Sequence, residues 1–397
     1  MSDGVLLLAV NDFPPMLGGE ATLYHGLARH LPAREAVILA PCAGDAARAI
    51  DAALPIGVLR RWIPPHRGLP SRVARAAFSF VHLAGLLLGR PIRYIVAGQL
   101  LSLGVPVRAL ARLFRIPYAI VVHGADLADF HDRLPWGLLA RWVVRGAETV
   151  LVNSRFTAAL VDRLLPGAAR RILVLPIGVD PTPAPAPLLV EALRLRYRLA
   201  DGPVLLSVAR LIPMKGHDVV IENLPILARR FPGVRYLVVG AGPDRDRLER
   251  RAAARGITER VVFAGSVPPE ELAAHYALGT LFVQLSRDEG GRSGVEGFGI
   301  SFLEAAAHGL PSIAGRSGGV ADALRDGETG FMIEPRDGPA FLDRATRLLG
   351  DGDLRARVSQ AARRWAASRS WDAAVRCLLS LAPPPDKVSS VTSRAAK

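Results

Sequence analysis

Two glutamates, Glu296 and Glu304, stand eight positions apart in G-V-E-G-F-G-I-S-F-L-E-A-A-A-H-G-L-P-S-I-A-G-R-S-G-G, residues 294–319. Gly297 and Gly299 let the backbone turn and approach a ligand that a Cβ would hold off. From Ser301 onward Phe302, Leu303, Ala306 and Ala307 share one side, and Gly309-Leu310-Pro311 is a stop signal, which predicts a helix followed by a short buried strand and a second glycine turn. Its N-terminus, at Ile300 and Ser301, turns unpaired N–H groups and a positive dipole end toward the glycine loop. Such an end suits an anion, phosphate above all. Phosphate alone needs no carboxylates, whereas a phosphate joined to sugars does, because carboxylates accept from vicinal hydroxyls. Two glutamates at this spacing also fit a solvated helix face, and the spacing by itself leaves that reading open.

Other residues could join such a site. In A-R-L-I-P-M-K-G-H-D, Arg210 leaves a strand end and Lys215 opens the next helix, so both can converge on one anion at the sheet edge. Gly18-Gly19, in N-D-F-P-P-M-L-G-G-E, form a phosphate-compatible turn or an ordinary strand-to-helix turn. His123, in H-G-A-D, ends a strand, where a lone histidine is most often a satisfied polar residue. Ser154 is placed as a helix cap.

These residues need elements to hold them. Strand patterns at 5–10, 94–97, 118–123, 149–152, 172–175, 203–208, 236–239, 261–264, 281–284 and 331–333 alternate with helical ones, predicting parallel α/β sheets. The stretch P-T-P-A-P-A-P, residues 181–187, reads as a stiff linker. It separates an N-terminal domain, 1–180, from a second domain, 188–369. A helix at 370–382 and a polar tail at 383–397, expected to be disordered, complete the chain. The length of 397 residues agrees with two or three domains, and half of them are hydrophobic.

Two cysteines, Cys42 and Cys377, exclude a disulfide framework or a cysteine metal cluster and fit a reducing, cytoplasmic setting. The start lacks a basic signal-peptide region, and no stretch reaches the ~18 apolar residues of a membrane span. A formal charge of +14 suits nucleic acid, an anionic membrane surface or an anionic small substrate. No zinc-finger, basic-zipper or ribonucleoprotein pattern is present, so no nucleic-acid partner is expected. The segment from Arg60 to Arg90 mixes Arg60, Arg61, Arg67, Arg72 and Arg75 with Trp62, Ile63, Phe78 and Phe80. It either lies on an anionic membrane surface or packs as a helix on the first sheet with an arginine edge.

Taken together, E-G-F-G-I-S-F-L-E-A resembles the E-x7-E element of retaining glycosyltransferases of family 4, and D-F-P-P-M-L-G-G resembles the first loop of the bacterial phosphatidylinositol mannosyltransferase branch. The resemblance implies the GT-B fold: α/β, two Rossmann-like doubly wound parallel-sheet domains facing across a cleft, with the last helix crossing back. It implies that Glu296, with Gly297, Phe298 and Gly299, meets the donor sugar and that Glu304 holds the ribose. By the same resemblance, Gly18, Gly19, Arg210, Lys215, Ile300 and Ser301 bind the donor diphosphate. His123 and Asp126 then lie at the reaction centre with Glu296, and Ser266 and Val267 near the base.

The implied reaction is metal-independent, retaining transfer of a hexose, with front-face attack guided by the leaving phosphate. A nucleotide diphosphate sugar is the co-substrate, with no other cofactor and no metal. Asp244-Arg245-Asp246 imitates a metal-binding D-x-D, but it opens a helix whose N-terminus its acids suit. Mannose from GDP-mannose is the expected donor, with UDP-glucose, UDP-galactose or UDP-N-acetylglucosamine as alternatives. The acceptor is a hydroxyl of a lipid-linked glycan or a polysaccharide, and a lipid acceptor would place the protein peripherally at the inner face of the membrane. A nucleotide-sugar epimerase and a non-catalytic sugar-nucleotide-binding protein are the other readings.

Overall fold

The computed structural model describes residues 4–64, 68–181, 183–199, 201–289 and 294–382, with the side chains of residues 68–72 not described. Arg67, the side chain of Arg72 and the tail expected at 383–397 therefore lie outside the described residues. The chain divides into two compact units, residues 1–178 with 370–397, and residues 179–369.

The first unit contains β1 (Val5–Ala9), α1 (Gly19–His30), β2 (Ala36–Pro41), α2 (Ala46–Ala52), β3 (Gly57–Arg61), α3 (Gly68–Gly89) and β4 (Ile92–Ala97). It continues with α4 (Gly104–Phe114), β5 (Tyr118–Val122), α5 (Ala125–Ala128), α6 (Trp136–Gly146), β6 (Thr149–Val152), α7 (Arg155–Leu164) and β7 (Ile172–Val174). The second unit contains α8 (Pro187–Arg196), β8 (Val204–Val208), α9 (His217–Arg230), β9 (Arg235–Val239), α10 (Arg245–Ala254), β10 (Val261–Gly265) and α11 (Pro269–Leu278). Then follow β11 (Leu281–Gln284), α12 (Ile300–Ala307), β12 (Ser312–Gly315), α13 (Val320–Ala323), β13 (Gly330–Ile333), α14 (Gly338–Gly350) and α15 (Gly352–Ala367). The last helix, α16 (Trp371–Leu381), rejoins the first unit.

Each unit is one parallel sheet, ordered β3-β2-β1-β4-β5-β6-β7 in the first and β10-β9-β8-β11-β12-β13 in the second. Both faces of such a sheet are covered by helices, so its inner strands are continuous apolar runs rather than alternating ones. Leu6, Leu7, Leu8 and Ala9 in β1, and Leu205 and Leu206 in β8, are fully buried. The strand order reverses between β1 and β4 and between β8 and β11. Ligands settle outside the C-terminal strand ends at such a switch. The expected cap holds: Ser154 Oγ accepts from the Thr157 amide at 3.1 Å.

Two strands were not anticipated. β2 lies outside the predicted strand patterns, and β3 is an edge strand that carries Arg60 and Arg61, the head of the basic segment. Arg60 does not face outward toward a membrane. Its guanidinium binds Asp51 at 2.8 and 3.0 Å and the carbonyls of Pro14 and Pro41 at 2.6 and 3.0 Å, locking the sheet edge. On α16, Trp371 is buried against α1, where Gly26 leaves room for the indole; a Cβ at Gly26 would run into that ring. Among the described residues no helix is long and apolar enough to cross a membrane.

Candidate active site

In the second unit the site begins where β8 ends. Arg210 follows the strand, and a tight turn at Pro213–Lys215 leads into α9 through Gly216. Gly216 has φ +72°, and a Cβ there would strike the carbonyl of Leu285, so glycine lets this turn pack directly on the chain leaving β11. His217 beneath it is neutral: burial drives its pKa down to about 4, and it bonds the Tyr236 hydroxyl at 2.8 Å. Lys215 Nζ meets Glu296 Oε2 at 2.6 Å, both side chains nearly enclosed.

Glu296 is held unusually tightly. The same oxygen, Oε2, also accepts from Ser286 Oγ at 2.8 Å and from Gln284 Nε2 at 3.0 Å. Burial opposes its ionisation, but the Lys215 ammonium and its hydrogen bond, Ser286, and the charge of Arg210 outweigh burial and hold the carboxyl below its usual range. The three named donors converge on Oε2, and a carboxylate's second oxygen has the chemistry to accept from a hydroxyl.

The loop then reaches α12 through Gly299, at φ +89°, where a Cβ would press on the Phe302 ring. Phe298 is buried, so only backbone can face a ligand from that position. Ser301, in the first turn of α12, donates to Gln284 Oε1 at 3.1 Å, beside Ile300, which opens the helix. One turn on, Glu304 accepts from the Tyr276 hydroxyl at 2.7 Å. Burial raises the Glu304 pKa, and this hydrogen bond opposes the rise. Ser266 and Val267 follow β10 at the sheet edge, two places from β8, and stand apart from this cluster in the strand order.

A second network braces the wall. Asp218, in the first turn of α9, takes both arms of the Arg287 guanidinium at 2.7 and 3.0 Å, and the Arg287 amide donates to the Met214 carbonyl at 2.9 Å. The turn bearing Lys215 and the segment bearing Ser286 are thereby tied together.

In the first unit, Gly18 precedes α1 and Gly19 opens it. His123, at the end of β5, places Nε2 2.9 Å from the Tyr24 hydroxyl, 3.0 Å from the Gly98 carbonyl and 3.6 Å from Glu20. Burial works against its protonation, but Glu20, Asp126, the Gly98 carbonyl and Asp12 prevail and raise its pKa. Asp126 Oδ1 accepts from the backbone amides of His123, Gly124 and Leu127 at 3.0–3.1 Å, so this carboxylate shapes the turn that carries His123.

Gln99 Nε2 spans Glu20 at 2.9 Å and Asp12 at 3.2 Å. Burial, the charge of Glu20 and a hydrogen bond to it push Asp12 from 3.8 to about 6. The folded chain thus binds this proton more tightly than the unfolded one. The stability it contributes is complete below about pH 4 and gone above about pH 6. Asp12→Asn should match the wild type near pH 4 and exceed it by about 1–2 kcal/mol at neutral pH, after discounting for solvent. Urea denaturation at both values checks this; equal stability at neutral pH would contradict it.

Sequence reasoning named Glu296, Glu304, Lys215, Arg210 and His123 but not Gln284, Ser286, Tyr276, Asp218, Arg287, Tyr24, Asp12, Glu20 or Gln99. Two signals were within reach: Asp12 and Glu20 bracket the quoted glycine loop, and Gln284 is a polar residue closing the apolar strand L-F-V-Q.

A family model described as Glycosyl transferases group 1 matches residues 194–365, and one described as Glycosyl transferase 4-like domain matches residues 18–178. The chain is 34% identical to a GDP-mannose-dependent alpha-(1-6)-phosphatidylinositol monomannoside mannosyltransferase of Mycolicibacterium smegmatis, over 91% of this chain and 93% of that one. It is 33% identical to a D-inositol 3-phosphate glycosyltransferase of Acidothermus cellulolyticus, over 60% of this chain and 53% of that one. Among solved structures, Anabaena Alr3699/HepE in complex with UDP and glucose aligns with a TM-score of 0.77 at 19% identity, covering 98% of this chain and 100% of that one. WaaG, a glycosyltransferase involved in lipopolysaccharide biosynthesis, aligns with a TM-score of 0.69 at 17% identity, covering 94% and 99%. The matches span both units, and the chain belongs to the glycosyltransferases of family 4, with the GT-B fold.

Proposed function

We propose that this glycosyltransferase moves mannose from GDP-mannose, with retention and without a metal ion, to a hydroxyl of a lipid-linked acceptor. The observation that carries the reading is the anchored carboxylate of Glu296, ionised beside Lys215 and next to the N-terminus of an eight-residue helix. The bond from the anomeric carbon to the diphosphate oxygen breaks, and the acceptor oxygen bonds that carbon on the same face. The acceptor's proton passes to the departing phosphate. Arg210, Lys215 and the amides at Ile300 and Ser301 oppose the charge that builds on the diphosphate, each contact being worth about 10²–10³ in rate. Glu296 holds sugar hydroxyls and Glu304 holds ribose hydroxyls. In the first unit, Gly18 and Gly19 offer backbone to phosphate, and His123 meets a substrate hydroxyl from the turn that Asp126 shapes.

The mannose and lipid assignments are supported by the mannosyltransferase relative, which shares 34% of its residues over nearly its whole length. On α3, Val73, Phe78, Phe80, Val81 and Leu88 are exposed, which supports peripheral contact with an anionic membrane at its cytoplasmic face.

One experiment tests the whole reading. The chain is incubated with GDP-mannose, UDP-glucose, UDP-galactose or UDP-N-acetylglucosamine, with and without vesicles containing phosphatidylinositol mannosides, and with and without a chelator. GDP release from GDP-mannose that requires the vesicles, ignores the chelator and yields an α-linked product is expected. A β-linked product or metal dependence would refute the mechanism. Release from a uridine donor would move the donor assignment, and a free sugar-nucleotide isomer would identify an epimerase.

A further inference from the structure

Gln284 is the last residue of β11, fully buried at the place where the strand order of the second unit reverses. Residues two apart along a strand share a face. Leu281, Val283 and Leu285 belong to the hydrophobic core on one face. On the other, Phe282 packs edge-on against Phe302 of α12 at 5.3 Å, and Gln284 and Ser286 continue the row. An apolar residue would fill this position without the penalty of burying an amide, which persists in a core only when it is bonded.

Here every group of the amide is engaged. Nε2 gives its hydrogens to Ser286 Oγ at 2.9 Å and Glu296 Oε2 at 3.0 Å, while Oε1 accepts from Ser301 Oγ at 3.1 Å. The orientation is chemically fixed, because an ionised carboxylate can only accept and must therefore face the amide nitrogen.

We propose that Gln284 is a positioning residue of the donor site, coupling Glu296 to Ser301 so that one oxygen of Glu296 is kept turned toward the donor sugar. The inference rests on the donor reading above. Gln284 acts through the Glu296 carboxylate, assigned above to the sugar, and holds Ser301 by its side-chain hydroxyl, leaving untouched the backbone amide assigned above to the diphosphate. Its influence therefore falls on the sugar and its transfer, and not on the nucleotide. Lys215 and Ser286 hold the same Glu296 oxygen, and the Gln284 amide, besides reaching that oxygen, also holds Ser301 of α12, so it bridges the loop and the helix.

The test compares affinities for GDP and GDP-mannose, measured by calorimetry, with transfer kinetics. UDP and UDP-glucose replace them if the donor proves to be a uridine compound. Gln284→Met keeps the volume and removes the amide. It should bind GDP within about twofold of wild type, bind GDP-mannose about 5- to 20-fold more weakly, and lose about 10-fold in kcat. Equal weakening for GDP and GDP-mannose would mark a merely structural role, and unchanged GDP-mannose binding and kcat would overturn the proposal.

Gln284→Glu supplies a second readout. Protonated, its hydroxyl can still donate to Glu296; ionised, it repels that carboxylate. Glu296 faces it from the loop; Lys215 lies on the far side of the shared Glu296 oxygen, the exposed Arg210 acts on Glu296 through its charge, and the Glu304–Tyr276 pair sits one turn further along α12 from Ser301. Its activity should approach the wild-type value at acid pH and fall as pH rises, relative to the wild-type profile; a profile parallel to wild type would count against the coupling. If the wild type transfers no sugar at all, the proposed function fails, whereas the two affinities on wild type and Gln284→Met still judge Gln284.

Discussion

Lys215→Ala lowers turnover of the nucleotide sugar by about 10²–10³, the expected loss of a charge-stabilising contact to a leaving diphosphate. A second effect accompanies the first. Lys215 is the strongest influence holding Glu296 ionised against burial, so its removal raises the Glu296 pKa. In the wild type this lowered pKa contributes stability that is present above the ordinary value of 4.5 and lost as pH falls through the folded value. The variant surrenders that contribution, and removing one partner of such an enclosed pair costs about 3 kcal/mol. The residual rate of Lys215→Ala should therefore climb with pH more than that of wild type. Combining it with Glu296→Gln separates the two effects: the double variant should recover stability, because no unpaired charge remains, and no activity. Steady-state kinetics and thermal melts across pH read both. Unchanged turnover in Lys215→Ala removes this lysine from the donor seat.

Glu304→Ala carries the other large effect, a loss of about 10² in kcat/KM for the donor, since ribose hydroxyls lose a charged acceptor. The stability outcome runs the opposite way from Lys215. Burial raises the Glu304 pKa, so its proton stabilises the fold below the ordinary value of 4.5 and that contribution vanishes as pH rises. Ionising this buried carboxyl burdens the fold, and the hydrogen bond from Tyr276 only partly relieves that burden. Glu304→Gln, which keeps an acceptor for Tyr276, should melt higher than wild type at neutral pH while remaining nearly inactive. A variant that is both active and no more stable would show that Glu304 serves the helix and not a ligand. Ground given up in stability for a charged ligand contact is common at functional sites.

What could be read from the residues in order was local. The R-x4-K pair, the glycine loop and E-x7-E each occupy one strand end, turn or helix start; periodicity places those elements, and the resemblance to family 4 implies the roles. The edge strand β3 escaped because G-V-L-R-R is half exposed and its arginines resemble a surface cluster; only the bond from Arg60 to Asp51 reveals its job. Gln284, Ser286 and Tyr276 escaped for a different reason. Each is one polar residue in an apolar neighbourhood, and its meaning depends on a partner 10 to 28 residues away. Asp12 and Glu20 sat inside a quoted motif, yet their shared amide comes from Gln99, nearly 80 or more residues on. Asp218 and Arg287 are 69 apart, and nothing near either predicts the other.

The seat of Trp371 on Gly26 has a bearing on how the polypeptide is made. During translation the first sheet leaves the ribosome without the helix that covers one side of α1, and that apolar strip stays bare until everything from Val179 to Arg369 has been synthesised. The second unit, contiguous in the gene, can finish first, so the amino-terminal half is the last to close.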